Sequence, residues 1–304
     1  MYKANQLHER LMAAFQNRYP GFRAMRFIFS SEPGGGKSTI LASVPVVTGR
    51  ARVIMDNEDS MAYLDAGKEG VDVYTPNRLQ FRMSRKVFPI LEDYAVIYEA
   101  IKRSPVKAGA FCVDNIAIFQ DLIVEYVAKN ASAPANVRTM LKHFDADTNL
   151  PNDGLIKTWV YNHDGNFWKA CKEIPKAFLF LCMKNGIHFL GSTEEGNVWQ
   201  NYGTKEAKIT GKRAKIWDVW MRYTDSIISL VRDVNKREPP FGQLYPNQPK
   251  MRLQGLNPKF RMDWEGFAIE LEAAAKRTEV DIPKEAQVVM PELVEESGGL
   301  NRHD

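Results

Sequence analysis

The stretch FIFSSEPGGGKST, residues 27–39, is an apolar strand that runs into a glycine-rich loop ending in Gly-Lys-Ser. Glycines in such a loop let backbone N–H groups converge on an anion, and the following helix presents its positive N-terminal end to it. Lys37 can then reach the β- and γ-phosphates of a nucleotide, and the Ser38 hydroxyl can bind Mg²⁺. We therefore expect ATP and Mg²⁺ as cofactors. The residues expected around the phosphates are Pro33, Gly34, Gly35, Gly36, Lys37, Ser38 and Thr39.

One position departs from the usual P-loop pattern, which has glycine five residues before its last glycine. Ser31 stands at that position. The consecutive glycines at 34–36 supply conformational freedom elsewhere in the loop. A chance glycine-rich turn is the alternative, but the strand before the loop and the helix-compatible run after it are the context that the motif requires. The sequence thus predicts nucleotide binding in spite of Ser31.

Length and composition favour one large, well-packed α/β domain. The chain has 304 residues, 44% of them hydrophobic, and six tryptophans. No apolar run reaches the length of about 20 residues that spans a bilayer, and polar residues interrupt the N-terminus where a signal peptide would be apolar. Cys112, Cys171 and Cys182 lie in apolar or helical runs without metal-ligand spacing. We expect a reduced, cytoplasmic protein without membrane association.

The net charge of +4 is unevenly distributed. From residue 278 onward, seven acids face two bases, so the rest of the chain is strongly basic. A basic body with an acidic tail is typical of proteins with a polyanionic partner. The tail could compete with that partner, bind a recombination or replication protein, or serve only solubility.

Apolar strands alternate with helical segments along the chain, which predicts a parallel sheet covered on both faces. The predicted strands are 24–29, 52–55, 110–113, 177–183 and 226–231. The predicted helices are 5–16, a helix from Lys37, 86–102, 116–128, and 264–276 with Asp263 as its N-cap. Residues 130–165 read as a long polar excursion, and the prolines between 239 and 249 argue against core elements there.

Ligands of open α/β sheets bind at the carboxyl ends of the strands, so the residues that end each strand are the candidates for chemistry. Asp114 follows an apolar strand and can hold the Mg²⁺ water shell opposite Ser38. Glu58 follows the strand 52–55 and can polarise the water that attacks the γ-phosphate. Lys184 or Asn185 ends the strand predicted at 177–183, where an amide or ammonium could sense that phosphate.

Together these segments resemble the RecA/Rad51-like branch of P-loop ATPases, and within it phage-encoded nucleotide-binding proteins linked to DNA recombination and single-strand annealing. The resemblance covers residues 24–235. It rests on SEPGGGKST at 31–39, VIMDNED at 53–59, FCVDN at 111–115, FLFLCMKN at 178–185 and DSIISLVRD at 225–233.

The resemblance implies a RecA-like P-loop NTPase fold in which Glu58 is the catalytic base and Asp114 the Mg²⁺-associated aspartate. Asn115 follows that aspartate where serine is usual, and Lys184 or Asn185 replaces the usual Gln or His of the fourth strand. It also implies a homo-oligomer with sites shared between subunits and, for a phage-encoded protein, the cytoplasm of a bacterial host.

Residues 205–215, KEAKITGKRAK, form a basic segment with five cations and one acid, near Trp199, Tyr202 and Trp217. Cations bind phosphates and aromatic rings stack on bases, so this composition suits single-stranded DNA. The predicted DNA-binding residues are Lys205, Lys208, Lys212, Arg213 and Lys215. In the resembled branch this segment is a DNA-binding loop or the source of a cation, here Lys212, Arg213 or Lys215, inserted into a neighbouring subunit. A solvated basic hairpin is the alternative.

The sequence therefore predicts a Mg²⁺-dependent ATPase that binds single-stranded DNA in recombination or replication. A motor or loader acting on duplex DNA or on a protein, a small-molecule phosphotransferase and a non-hydrolysing switch remain alternatives. The predicted organisation is an N-terminal helix (1–23), the ATPase core (24–235), a proline-rich extension with a C-terminal helix (236–276) and an acidic, disordered tail (277–304).

Overall fold

The computed structural model describes residues 2–58, 61, 71–74, 91–130, 133–148, 165–200, 208–232, 238–244, 253 and 255–279. The helices are α1 (Tyr2–Arg18), α2 (Lys37–Ala42), α3 (Leu91–Arg103), α4 (Ile116–Lys129), α5 (Pro134–His143), α6 (Gly165–Asn185), α7 (Asp218–Tyr223) and α8 (Trp264–Glu279), with a 3-10 turn at Pro105–Lys107. The strands are β1 (Arg26–Ser31), β2 (Ala51–Asp56), β3 (Val71–Tyr74), β4 (Ala108–Asp114), β5 (His188–Gln200), β6 (Lys208–Ala214), β7 (Ser226–Val231), β8 (Phe241–Leu244) and β9 (Phe260–Arg261).

A nine-stranded sheet organises these elements in the order β3-β2-β4-β5-β1-β7-β8-β9, with β6 paired to β5 outside this path. The six neighbouring strands β3, β2, β4, β5, β1 and β7 run parallel, whereas β8 and β9 continue the sheet antiparallel. β1, which leads into the glycine-rich loop, lies between β5 and β7. The predicted α/β class, with a mainly parallel sheet flanked by helices, is confirmed.

Side chains of β1 alternate between two hydrophobic cores, as the period-2 geometry of a strand requires. Ile28 packs on the face covered by α3 to α7. Phe27 and Phe29 pack on the opposite face, which α1, α2 and α8 cover. Because both faces are buried, β1 reads as a continuous apolar run, and the sequence-based prediction of a sheet covered on both sides is confirmed.

One predicted strand is wrong. Residues 177–183 belong to α6, and the fourth strand of the core is β5, beginning at His188. Phe178, Leu179 and Cys182 are fully buried in α6, so the run is apolar because the helix packs against the sheet on one side and against neighbouring helices on another. Pro175 lies inside the helix without ending it.

Smaller differences concern boundaries and the segments predicted to lack structure. β1 begins and ends two residues later than predicted, and the polar excursion 130–165 contains α5. β8 follows Pro239-Pro240 directly and pairs with β7, so the prolines do not exclude a strand there. The predicted final helix is confirmed, and the Asp263 side chain accepts a hydrogen bond from the backbone N–H of Gly266 (2.6 Å), as an N-cap does. The acidic tail from residue 280 lies outside the described residues.

β5 extends beyond the carboxyl edge of the parallel core sheet. Its first half, from His188 to Glu194, pairs with β1 and β4, and its second half, from Glu195 to Gln200, pairs antiparallel with β6. The predicted basic segment therefore contains β6, and β6 forms a hairpin with the part of β5 that extends beyond the carboxyl edge of the sheet. Residues 205–207 lie outside the described part of the chain.

All three cysteines are free and buried. Burial raises the pKa of the Cys171 thiol to about 12 and that of Cys112 and Cys182 further, so all three remain protonated as core residues. Among the helices that the structure describes, none combines the length and the apolar character needed to cross a bilayer.

The buried His188, which contacts the partly buried His8, predicts acid sensitivity. The backbone N–H of Met25 donates to Nδ1 of His188 (3.0 Å), and Nε2 of His188 lies 3.4 Å from Nδ1 of His8. Burial lowers the pKa of His188 to about 3, so between that pH and the usual value near 6.5 the unfolded chain binds a proton that the folded chain does not. The stability is present above pH 6.5 and is lost as the pH falls.

We expect His188 to account for a loss of about 2 kcal/mol in unfolding free energy between pH 7 and pH 5. Chemical denaturation of the wild type and of His188→Asn, whose amide oxygen can still accept from Met25, measures it. The variant should lose less stability over this interval. His143→Asn is the matched control because His143 is exposed, and equal pH slopes in all three proteins would contradict the prediction.

Candidate functional site

The glycine-rich loop between β1 and α2 has the backbone that an anion-binding loop needs. Gly34 and Gly36 have φ angles of +79° and +91°, which favour glycine. A Cβ at Gly35 would lie 2.2 Å from Oγ of Ser31, so this glycine is needed for close approach. Ser31 thus occupies space inside the loop where the usual pattern has a glycine, and Gly35 accommodates it.

Lys37 begins α2 and folds back across the loop. Its Nζ donates to the backbone oxygens of Ser31 (2.9 Å) and Glu32 (3.3 Å) and to Oγ of Ser31 (3.1 Å). Burial lowers the pKa of Lys37, and the nearby carboxylates of Asp114, Glu58, Glu194 and Glu195 oppose that shift. A cation surrounded by carboxylates at the mouth of an anion-binding loop is placed to meet phosphate oxygens.

Ser38 and Asp114 meet at the carboxyl edge of the sheet, as predicted for a magnesium site. The Ser38 hydroxyl donates to Oδ2 of Asp114 (3.2 Å), and the Ser192 hydroxyl donates to Oδ1 of the same carboxylate. Asp114 is only 2% exposed. Hydroxyl and carboxylate oxygens are the ligands that Mg²⁺ prefers, directly or through water, so the donor set fits this ion.

Glu58 lies beside this pair, two residues after β2. Its Oε1 accepts a hydrogen bond of 2.5 Å from Nδ2 of Asn115, the residue that follows Asp114. Asn57 connects the ends of β2 and β4, because its Nδ2 donates to the backbone oxygens of Asp114 (2.8 Å) and Asn115 (3.2 Å). The structure therefore brings Glu58 next to Asn115 and the Ser38–Asp114 pair, and its role as general base stays a prediction.

The sequence analysis did not identify the polar residues in the middle of β5 as part of the site. Glu195 accepts hydrogen bonds from the hydroxyls of Ser30 on β1 (3.0 Å) and Ser229 on β7 (2.7 Å), and so joins three central strands at the carboxyl edge. A cavity of about 350 Å³ opens between this cluster and the glycine-rich loop. It is lined by Glu32, Pro33, Gly34, Gly35, Glu195, Ser229, Leu230, Val231 and Arg232. The signal was GSTEEG at 191–196, which follows the apolar residues that begin β5.

Asn185, one of the two residues predicted to sense the γ-phosphate, lies at the opposite edge of the sheet from the P-loop. Asn185 ends α6, and its amide donates to the backbone oxygen of Leu181 (2.8 Å). It lies just before the amino end of β5, where Phe189 pairs with Arg26, whereas Lys37 follows the carboxyl end of β1. At about 3.3 Å per residue, the length of β1 separates the two edges by roughly 20 Å. Asn185 cannot contact a nucleotide held by the P-loop of the same chain.

The structure places part of the basic segment close to the carboxyl edge of the sheet, where the P-loop lies. Lys215 donates to the Glu194 carboxylate (2.9 Å), and this hydrogen bond is the main cause of the lowered pKa of Glu194. Lys208, at the start of β6, is exposed. Lys212 and Arg213 lie on β6 opposite Asn197 and Gly196; their side chains and Lys205 lie outside the described part of the structure.

Among the comparisons with known proteins, only solved structures give a match, at low sequence identity. No protein-family model matches the sequence, and the comparison with curated proteins finds no match. The structure is similar to that of the RadB recombinase, with 11% identity over 83% of this chain and 94% of that chain and a TM-score of 0.40. It is also similar to KaiC-like protein PH0186 from Pyrococcus horikoshii OT3, with 12% identity over 79% of this chain and 86% of that chain and a TM-score of 0.37. At these identities the likenesses concern the fold alone.

Proposed function

We propose that this chain is a Mg²⁺-dependent ATPase that binds single-stranded DNA and acts as a homo-oligomer in DNA recombination or replication. One observation carries the ATPase proposal: the Ser38–Asp114 pair and the Glu58 carboxylate are joined at one edge of the sheet by hydrogen bonds through Ser192 and Asn115, and the P-loop lysine lies in the adjacent loop. Phosphoryl transfer to water needs these parts, namely a cradle, a metal site and a base.

Each part has a defined role in the proposed reaction. The loop amides and Lys37 bind and orient the phosphates, and Ser38 and Asp114 hold Mg²⁺, which neutralises charge on the transferred group. Glu58 accepts the proton of the attacking water. A non-hydrolysing switch has no use for such a base, and in a phosphotransferase it would serve an acceptor hydroxyl in place of water. Phosphate release without an added acceptor therefore separates hydrolysis from phosphotransfer.

The hairpin formed by β5 and β6 supports the proposal of DNA binding. It carries the basic segment, which pairs with β5. The same strand contributes Ser192, Glu194 and Glu195 to the carboxyl edge of the sheet beside the P-loop. Cations on an exposed hairpin suit the phosphates of a single strand. The resemblance to recombination-linked phage ATPases gives the biological setting we propose, including the cytoplasm of a bacterial host.

Steady-state ATP hydrolysis with Mg²⁺, measured with and without single-stranded DNA, tests this function. We expect hydrolysis that single-stranded DNA stimulates and high salt suppresses, because counterion release contributes to binding. Chelation of Mg²⁺ should abolish turnover. The absence of any ATP hydrolysis, with or without DNA, would contradict the ATPase proposal.

Hydrolysis that is indifferent to DNA would instead favour a motor or loader that acts on duplex DNA or on a protein. Alanine at Lys212, Arg213 and Lys215 then separates the two roles of the hairpin. Loss of DNA binding with basal hydrolysis retained supports a DNA-binding hairpin. Loss of hydrolysis without DNA supports a cation that completes the nucleotide site.

A further inference from the structure

Asn115 has a backbone conformation that few residues adopt. It stands between β4 and α4 with a φ of 57°, in the left-handed region. Asparagine tolerates this region better than most residues other than glycine, yet at some cost in free energy. Such conformations persist when surrounding contacts hold them, and they are concentrated at functional sites.

Its side chain does not do what an asparagine at this position usually does. Asn115 is the N-cap residue of α4, where a side-chain oxygen normally accepts a hydrogen bond from the first turn. No such hydrogen bond exists here. The amide points to Glu58 instead, and Nδ2 donates to Oε1 over 2.5 Å. The Asn115 side chain therefore contacts the proposed base instead of capping the helix.

The backbone of Asn115 is fixed on both sides. Its N–H donates to Oγ of Ser192 on β5 (2.7 Å), and its C=O accepts from Nδ2 of Asn57 after β2 (3.2 Å). Asn57 is held in turn by the hydroxyl of Tyr94 (2.6 Å), a fully buried residue of α3. Residues from β2, β5 and α3 therefore determine where the amide of Asn115 points.

The oxygen of the amide is a second indication of a site. Asn115 is 7% exposed, and its Oδ1 is buried and accepts no hydrogen bond from the described part of the chain. Buried polar atoms without a partner cost free energy and are rare. The amide is therefore held in its orientation although only Nδ2, on the Glu58 carboxylate, makes a hydrogen bond within the described part of the chain.

We propose that Asn115 is a positioning residue that orients Glu58 toward the attacking water. This inference rests on the proposed hydrolysis. In that reaction the water oxygen bonds to the γ-phosphorus, the bond from this phosphorus to the bridging oxygen breaks, and one water proton passes to Glu58. Asn115 exchanges no proton; it fixes the Glu58 carboxylate through Nδ2.

Two substitutions separate this role from a structural one. Asn115→Gly removes the amide while keeping the backbone, because glycine adopts a positive φ without strain. Asn115→Asp keeps the shape and the tolerance of a left-handed φ but replaces the donor by a second acceptor that repels Glu58. Asn130→Asp is the matched control, since Asn130 follows the other end of α4 and its Nδ2 bonds only to a backbone oxygen of that helix, at Tyr126.

We expect both Asn115 variants to lower kcat for ATP about 10-fold to 100-fold, the cost of a misplaced catalytic group, while KM and the dissociation constant of ATP stay within about threefold of wild type. The control should keep wild-type kcat. In a Glu58→Gln background, Asn115→Gly should cause no further loss, because two residues that act as one unit are not additive.

Three results would overturn the inference: kcat of Asn115→Gly within twofold of wild type, parallel loss of kcat and ATP affinity, or a full additional loss on top of Glu58→Gln. Failure of the proposed function itself looks different. In that case the wild type does not hydrolyse ATP, or Glu58→Gln hydrolyses it at the wild-type rate, whatever the Asn115 variants do.

Discussion

Replacement of Lys37 by alanine is expected to abolish ATP hydrolysis and to weaken ATP binding about 100-fold. Nζ of Lys37 now bonds to Ser31 and Glu32 within the loop, and phosphate oxygens can take over these bonds when nucleotide binds. Charge-assisted hydrogen bonds contribute about 1.5–3 kcal/mol each. Loss of the ammonium also removes the positive charge that neutralises the transferred group.

Equilibrium titration with a fluorescent ATP analogue and a phosphate-release assay measure both effects. The fold should survive, because the contacts of Nζ lie within the loop and burial disfavours the charge of Lys37, as its lowered pKa shows. Lys129→Ala, at an exposed lysine in the last turn of α4, is the matched control. Phosphate release by Lys37→Ala at the control's rate would refute the P-loop assignment.

Substitution of Glu58 by glutamine should slow turnover by about 10²-fold to 10⁴-fold, the usual contribution of a general base, and leave ATP binding nearly intact. Glutamine keeps an oxygen that can accept from Nδ2 of Asn115, so the geometry around Asp114 should persist. The lost function is proton acceptance alone.

Single-turnover hydrolysis and ATP affinity, measured on the same preparation, separate chemistry from binding. Glu125→Gln makes the same chemical change at an exposed residue of α4 and should behave as wild type. Wild-type turnover in Glu58→Gln would remove Glu58 from the mechanism.

The P-loop, Asp114 and Glu58 could be predicted because their signals are local. The loop needs consecutive glycines followed by Lys37 and Ser38, and its conformation depends on neighbouring residues in the chain. Asp114 and Glu58 each follow an apolar strand, and parallel strands bring their carboxyl ends to one edge. The structure brings these side chains together at one site as expected, whereas their chemical roles stay predictions.

The fourth strand could not be predicted because two runs competed for it. AFLFLCM at 177–183 is apolar on nearly every side, and such a run has neither a helical nor a strand period to separate the two structures. β5 begins with only a few apolar residues, from Ile187 to Leu190, before GSTEEG. Its polar half leaves the core sheet to pair with β6, so tertiary pairing, which the sequence does not display, decided the outcome.

The same error displaced part of the site. Because the fourth strand is mispredicted, Asn185 is expected at the carboxyl edge of the sheet, where the structure instead has Ser192, Glu194 and Glu195 of β5. The hydrogen bond from Asn115 to Glu58 was equally out of reach, since it depends on a left-handed φ and on an amide orientation fixed by residues distant in the chain.

The position of β1 in the sheet has a consequence for the order of folding. Its partners are β5, where Phe189 faces Arg26, and β7, where Ser226 faces Phe27. β1 and its loop leave the ribosome more than 150 residues before either neighbouring strand, so β1 stays unpaired until β5 and β7 have been made. Pairing across so long a stretch of chain is intrinsically slow and leaves an apolar strand exposed to aggregation meanwhile. The phosphate cradle is therefore made well before the strands that hold it in place.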